Sequence, residues 1–177
     1  MYSRVYVEIT NICNMNCSFC HGHDRAPRQM TEAEYAHILR QLQGKTQYIY
    51  HHLMGEPLVH PLLPRFIQMA REAGFHPMLT TNGTLVDLRG EQLLGIGLHK
   101  VNISLHAFEA NDLSVPFATY LSDCFAFGNA SNGKKLVVYR LWNQGGEYKQ
   151  NRDILETMHQ SFPGVGVQER LGIRIAD

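Results

Sequence analysis

The chain has 177 residues, 44% of them apolar, and its 16 basic and 16 acidic residues leave a formal net charge of zero. That length holds about one domain, large enough to bury roughly 70% of its unfolded surface. No basic patch, acidic run or stretch of ~20 apolar residues stands out, so composition points neither to electrostatic capture of nucleic acid nor to a membrane span. The opening run MYSRVYVEIT lacks the basic-then-apolar layout of a signal peptide. The expected compartment is therefore the cytoplasm, where thiols stay reduced.

In chain order the pattern predicts a strand over 5–10, a helix over 32–43, a strand over 48–53, a helix over 62–73 and a strand over 76–81. A helix over 89–96, a strand over 101–106, a helix over 117–127, a strand over 136–141 and a helix over 151–162 follow. The first helix opens on Thr31-Glu32-Ala33-Glu34, a capping-box sequence. Its apolar positions Tyr35, Ile38, Leu39 and Leu42 fall at helical spacing. The second carries Phe66, Ile67, Met69 and Ala70 and stops at Gly74. The fourth is rich in Phe and Ala and is expected to end near Gly128-Asn129. Strand-then-helix units of about thirty residues imply parallel strands joined by helical crossovers. Residues 171–175 would begin a sixth strand. The chain then stops at Asp177 without a following helix, which reads as a shortened core, residues 1–177, with no second domain.

Cys13, Cys17 and Cys20 lie just past the first predicted strand, spaced C-x3-C-x2-C. Three close thiolates can hold a metal or cluster and leave one coordination position free for chemistry. Four readings follow. Incidental thiols fit poorly, because three cysteines fall within eight residues of a chain that has only one other. Zinc could recruit His21 or His23 as a fourth ligand, but the second C-x2-C half usual in such sites is missing. Cys17-Ser18-Phe19-Cys20-His21 matches the c-type haem pattern, yet attachment of that kind normally needs export and leaves Cys13 unexplained. An iron–sulfur cluster uses all three thiolates and keeps one iron open.

At this point the residues resemble a known family. C-x3-C-x2-C after the first strand of a βα repeat is similar to the radical S-adenosylmethionine (SAM) superfamily. Met54-Gly55-Glu56-Pro57, after the second strand, resembles that family's Gly-Gly-Glu-Pro segment, with Met54 in place of the first glycine. Thr80-Thr81-Asn82-Gly83-Thr84, after the third, resembles its T-N-G segment. Read without the resemblance, both are ordinary turns. Met54–Pro61 as a whole also resembles members with a SPASM-type C-terminal extension, although no cysteine-rich extension is present.

The resemblance implies an α/β fold, a partial parallel (β/α) barrel of five or six strands related to the TIM barrel. It implies that Cys13, Cys17 and Cys20 bind a [4Fe–4S] cluster and that SAM chelates the fourth iron. Reductive cleavage of SAM would then give a 5′-deoxyadenosyl radical that abstracts a hydrogen atom. By the same resemblance Phe19 lies beside the adenine, and Gly55, Glu56 and Pro57 face the methionyl amino group. Thr81 and Asn82 belong to the barrel mouth, and Ser104 and His106 meet the ribose or carboxylate. Arg140 suits the SAM carboxylate because a guanidinium fork matches one, and Asn143 is placed to meet SAM or substrate. All of these follow strand ends, which converge on one mouth in a βα barrel.

The implied partners are a peptide or small-molecule substrate, with peptide or protein modification favoured, and an electron donor such as a flavodoxin or ferredoxin. No nucleic-acid or membrane partner is expected. Two alternatives stay open: an incomplete or non-catalytic iron–sulfur domain, and a zinc module. Of His51, His52, His60 and His106, two or three are expected to make strand-end hydrogen bonds rather than move protons. Cys124 is expected in the core.

Overall fold

A computed structural model describes residues 1–131, 136–141 and 150–163. Asn143 and the expected sixth strand at 171–175 lie outside the described residues. The chain divides into two compact units, Met1–Arg140 and Leu141–Asp177. The first unit is an α/β fold with strands β1 (Val5–Val7), β2 (Tyr48–His51), β3 (His76–Thr81), β4 (Lys100–Ser104) and β5 (Leu136–Arg140). These alternate with helices α1 (Glu32–Leu42), α2 (Leu63–Glu72), α3 (Val86–Leu94) and α4 (Phe117–Ala130). Helix α5 (Asn151–Ser161) belongs to the second unit. All five strands are parallel and follow one another in sequence order. This is a partial (β/α) barrel: among the described strands, β1 and β5 form its two edges. No described helix is long and apolar enough to cross a membrane.

The side-chain period of two assigns each strand face. His51 meets Tyr35 of α1, and Tyr139 Oη donates to Cys124 O of α4 at 3.1 Å. Residues in their pleat phase, including Leu79, Val101 and Ile103, therefore face the helices and are fully buried. The other phase carries Tyr6, Tyr50, Met78, Thr80 and Asn102. That face is polar and aromatic, with Tyr6 stacked on Tyr50 at 5.1 Å. Such a split is what a barrel with a ligand-binding interior needs.

Helix α1 is started by the capping box expected from its sequence: Glu34 N donates to Thr31 Oγ1, and Thr31 N donates to Glu34 Oε2 at 2.9 Å. It docks through Tyr35, which is fully buried and stacked on Phe66 of α2 with ring centroids 4.4 Å apart. Tyr35 Oη lies 2.6 Å from His51 Nε2, and His51 Nδ1 lies 3.1 Å from Met78 O. A carbonyl can only accept, so Nδ1 carries the proton and Nε2 accepts from the tyrosine. Burial lowers the His51 pKa from 6.5 to about 4.

Element boundaries differ from the expected ones where loops intervene. β1 stops at Val7 because Thr10 pairs instead, in antiparallel sense, with Gln29. Short 3₁₀ turns at Pro57–Val59 and Leu105–Ala107 follow β2 and β4, which end at His51 and Ser104. Helix α4 runs past Gly128-Asn129 to Ala130. Tertiary packing overrides the weak residues there: Phe127 is buried so closely against α3 that a Cβ on Gly90 would fall 2.8 Å from its ring.

The His51 pKa shift generates a pH prediction. A histidine held neutral contributes stability that is present above its unfolded pKa of 6.5 and is lost as the pH falls toward about 4. A shift of this size caps the contribution at about 3 kcal/mol. Urea unfolding of wild type and His51→Gln across that window is expected to show the gap between them narrowing as the pH falls; a constant gap would refute this.

Candidate functional site

The cysteines occupy a loop whose two limbs are laced together before the cysteines are reached. Thr10 Oγ1 donates to Arg28 O at 3.1 Å and accepts from Ile12 N. Asn11 works on three sides: its backbone N–H donates to Arg28 O, its Oδ1 accepts from Arg28 N at 2.6 Å, and its Nδ2 donates to Ala26 O at 2.9 Å. His23 Nε2 donates to Asn11 O at 2.9 Å, and Met30 N donates to Ile9 O at 2.8 Å. At the far end Cys20 N donates to Cys17 O at 2.9 Å, so these two cysteines share one turn. Cys13 and Cys20 are exposed and Cys17 is half-buried.

Two asparagines hold this loop against the sheet. Asn82, just past β3, donates from Nδ2 to Asn14 Oδ1 at 3.0 Å and lies 4.0 Å from Cys13 Sγ. Thr84 closes that corner, accepting from Asn14 Nδ2 at 2.8 Å and donating to Asn82 Oδ1 at 2.7 Å. Asn111, beyond β4, donates from Nδ2 to Cys17 Sγ at 3.2 Å and accepts Asn16 N on Oδ1 at 2.8 Å. Ser18 N donates to Ala110 O, and the Phe19 and His106 rings lie 5.5 Å apart. Asn111 carries no motif and is not among the residues expected from the sequence. Its partners in the cysteine loop lie more than ninety positions away in the chain.

Gly55, Glu56 and Pro57 sit beneath the loop. A Cβ on Gly55 would fall 2.4 Å from Thr10 O and 2.7 Å from Ile12 O. Only glycine allows this backbone-on-backbone approach. The Glu56 side chain is held by the protein itself. Glu56 is 2% exposed, and its carboxylate accepts from Leu58 N at 2.9 Å, Thr81 Oγ1 at 2.8 Å and Asn82 N at 2.7 Å. Its own N–H donates to Ile12 O at 2.9 Å. Glu56 therefore braces three segments, and Thr81 is bound up in the same brace. Burial pushes the Glu56 carboxyl up from 4.5 to about 7 against hydrogen bonds that pull it down. Pro57 is buried at the first position of the 3₁₀ turn.

Further round the rim, Ser104 ends β4 and pairs in register with Arg140 at the end of β5. His106 Nδ1 donates to Arg140 O at 3.2 Å. Arg140 itself is exposed. His60 is a structural residue, donating from Nε2 to Met30 O and accepting Leu62 N on Nδ1. With His51 and His106 it makes three histidines bonded to backbone or core, as expected. Cys124 is buried under Gly83 and its thiol is pushed up to about 12 by burial. Gly83 turns at φ +83°, and Tyr120 Oη donates to Asn82 O at 2.7 Å, so α4 fixes the Asn82 corner from behind.

The donor set fits an iron–sulfur cluster. Cys13, Cys17 and Cys20 are unbridged thiols on one loop, and thiolates are the ligands such a cluster takes. Burial, with smaller contributions from Glu56 and the other cysteines, pushes the Cys13 thiol up; burial does the same to Cys17. A cationic partner offsets that cost.

The Gly55 contact predicts the effect of a methyl group. Gly55→Ala drives a Cβ into backbone that cannot give locally, so Thr10–Ile12 must move. Expected are a stability loss of about 1–3 kcal/mol or more, seen as a lower unfolding midpoint, and reduced iron uptake on anaerobic reconstitution.

The chain is 32% identical over 110 residues to a GTP 3′,8-cyclase of Chlorobaculum tepidum, covering 59% of this chain and 33% of that protein. It is 32% identical over 148 residues to the tungsten-containing aldehyde ferredoxin oxidoreductase cofactor-modifying protein of Pyrococcus furiosus, covering 77% and 38%. The chain thus spans about a third of the length of these curated relatives. Its fold is similar to that of Streptococcus suis SuiB bound to the precursor peptide SuiA, with TM-score 0.66, 19% identity and coverage of 89% and 37%. It is also similar to that of BtrN in complex with AdoMet and 2-DOIA, with TM-score 0.61, 24% identity and coverage of 79% and 57%. The sequence model of the Radical SAM superfamily matches residues 7–173. A laced cysteine loop at the mouth of a parallel partial barrel and a family match across nearly the whole chain lead to one conclusion: this chain belongs to the radical SAM superfamily.

Proposed function

We propose that this chain is a radical SAM enzyme core in which Cys13, Cys17 and Cys20 each bind one iron of a [4Fe–4S] cluster, leaving the fourth iron for the amino and carboxylate groups of SAM. The observation that carries this reading is the clamping of one cysteine loop by Asn82 and Asn111, which stand past the ends of two neighbouring strands. The family's cofactors are a [4Fe–4S] cluster and SAM. When bound, the pair supplies one-electron cleavage of SAM and hydrogen abstraction from a substrate.

The protein's own part is placement. The laced limbs hold the thiols at the mouth, and the Glu56 brace fixes the ends of β2 and β3 beneath them. Arg140, exposed at the end of β5, offers its fork to the SAM carboxylate. Ser104, in register with it, offers a hydroxyl to the ribose or carboxylate. Phe19, 40% exposed against the His106 ring, offers an apolar face to the adenine. The electron comes from an external donor such as a flavodoxin or ferredoxin.

For the substrate, the Met54–Pro61 resemblance to SPASM-type members supports peptide or protein modification. A second reading, a nucleotide or other small cofactor-related substrate, is favoured by the sequence relatives, one a GTP 3′,8-cyclase and one a cofactor-modifying protein.

Anaerobic reconstitution is expected to give about four iron and four sulfide per chain, and dithionite with SAM is expected to give 5′-deoxyadenosine. Cys13→Ala, Cys17→Ala and Cys20→Ala each abolish this product. Zinc without acid-labile sulfide in wild type would sink the proposal; a cluster without cleavage would point to a non-catalytic domain. The substrate readings separate by which additive, a short-peptide library or GTP, raises the rate of 5′-deoxyadenosine formation.

A further inference from the structure

Asn111 does more than touch the cysteine loop; its amide orientation is fixed from two sides. Oδ1 accepts the Asn16 N–H at 2.8 Å, and Nδ2 donates to Ala107 O at 2.8 Å. Turning the amide over would set an NH2 against an N–H and a carbonyl against a carbonyl, losing both bonds. With the amide locked this way, the nitrogen also stands 3.2 Å from Cys17 Sγ, with an N–H left to aim at it. Asn82 stands on the other flank but farther off, 4.0 Å from Cys13 Sγ, and it is committed to Asn14 at 3.0 Å.

We propose that Asn111 raises the reduction potential of the cluster by hydrogen bonding to the Cys17 thiolate. This rests on the reading of Cys13, Cys17 and Cys20 as cluster ligands. Reduction transfers one electron from the external donor to the cluster; no bond forms or breaks and no proton has to move. The added negative charge spreads onto the thiolate sulfurs as well as the irons. An N–H aimed at one of those sulfurs therefore stabilises the reduced form more than the oxidised form. Hydrogen bonds to cluster sulfurs are a recognised lever on potential, and bonds to ionised acceptors are the stronger kind.

The experiment compares full-length wild type, Asn111→Ala, Asn111→Asp and Asn111→Gln after anaerobic reconstitution. Iron and sulfide are counted, and midpoint potentials are read by EPR-monitored redox titration without SAM. Asn111→Asp keeps an oxygen for the Asn16 N–H but removes the donor to both Cys17 and Ala107 O and adds a negative charge beside the cluster, so it separates the Asn16 contact from the tuning bond. Expected are full clusters, a potential lowered in Asn111→Ala by on the order of tenfold in the reduction constant, about 59 mV for one electron, and a larger drop in Asn111→Asp. Asn111→Gln, which retains an amide, returns part of the shift. Equal potentials in all four proteins would overturn the proposal while leaving the cluster assignment standing. So would loss of the cluster in both Asn111→Ala and Asn111→Asp, which would make Asn111 a clasp alone. A wild type that takes up no cluster would overturn the assignment and this proposal together.

Discussion

The site depends on a buried carboxylate. Glu56 sits between the ends of β2 and β3 and beneath the loop that follows β1, and it bonds to the 3₁₀ turn and the corner after β3 while its N–H bonds to Ile12. A carboxyl group out of water is costly unless its oxygens are satisfied. Here both oxygens are used, so removing any partner leaves that cost uncovered. The group therefore acts as a geometric constraint: Thr81, Asn82 and Leu58 have to keep their positions for it to be tolerated. Because Asn82 is also what meets Asn14 and approaches Cys13, the constraint passes directly into the cysteine loop.

Parallel topology makes this economy of contacts possible. With five strands running the same way in sequence order, every strand delivers its C-terminal end to the same rim. The helix-facing phase is filled by residues such as Ile49, Leu79, Val101 and Ile103, and Tyr35 satisfies the one buried histidine among them. Polar groups are left for the interior face and the rim. The stable part of the fold and the part that offers chemistry are thus set by alternate residues of the same strands.

Much of this was legible in the sequence, because it is written locally. The three cysteines, the capping box at Thr31 and the βα rhythm are short-range signals, and β3 was bounded at 76–81 as the structure has it. The remainder depends on contacts distant in the chain. Asn111 belongs to no motif and is defined by partners across the sheet. Apart from the family resemblance Glu56 reads as part of an ordinary turn, because nothing local tells that Thr81 and the Asn82 amide close over it. Gly55 stands for a close approach visible only once Thr10–Ile12 are placed. The early end of β1 has the same origin, since the pairing of Thr10 with Gln29 spans the whole cysteine loop.

The lacing of that loop has an entropic consequence. Asn11 and Thr10 join the outgoing limb to residues 26–28 through the protein's own hydrogen bonds. The cost of closing the loop is therefore met when the polypeptide folds, not when metal arrives. This sets the chain apart from small zinc modules, where binding and folding are one event. A cluster taken up by these thiols, as proposed, would meet a loop already closed by the protein's own hydrogen bonds, and its binding energy would be retained as affinity rather than consumed in ordering the backbone.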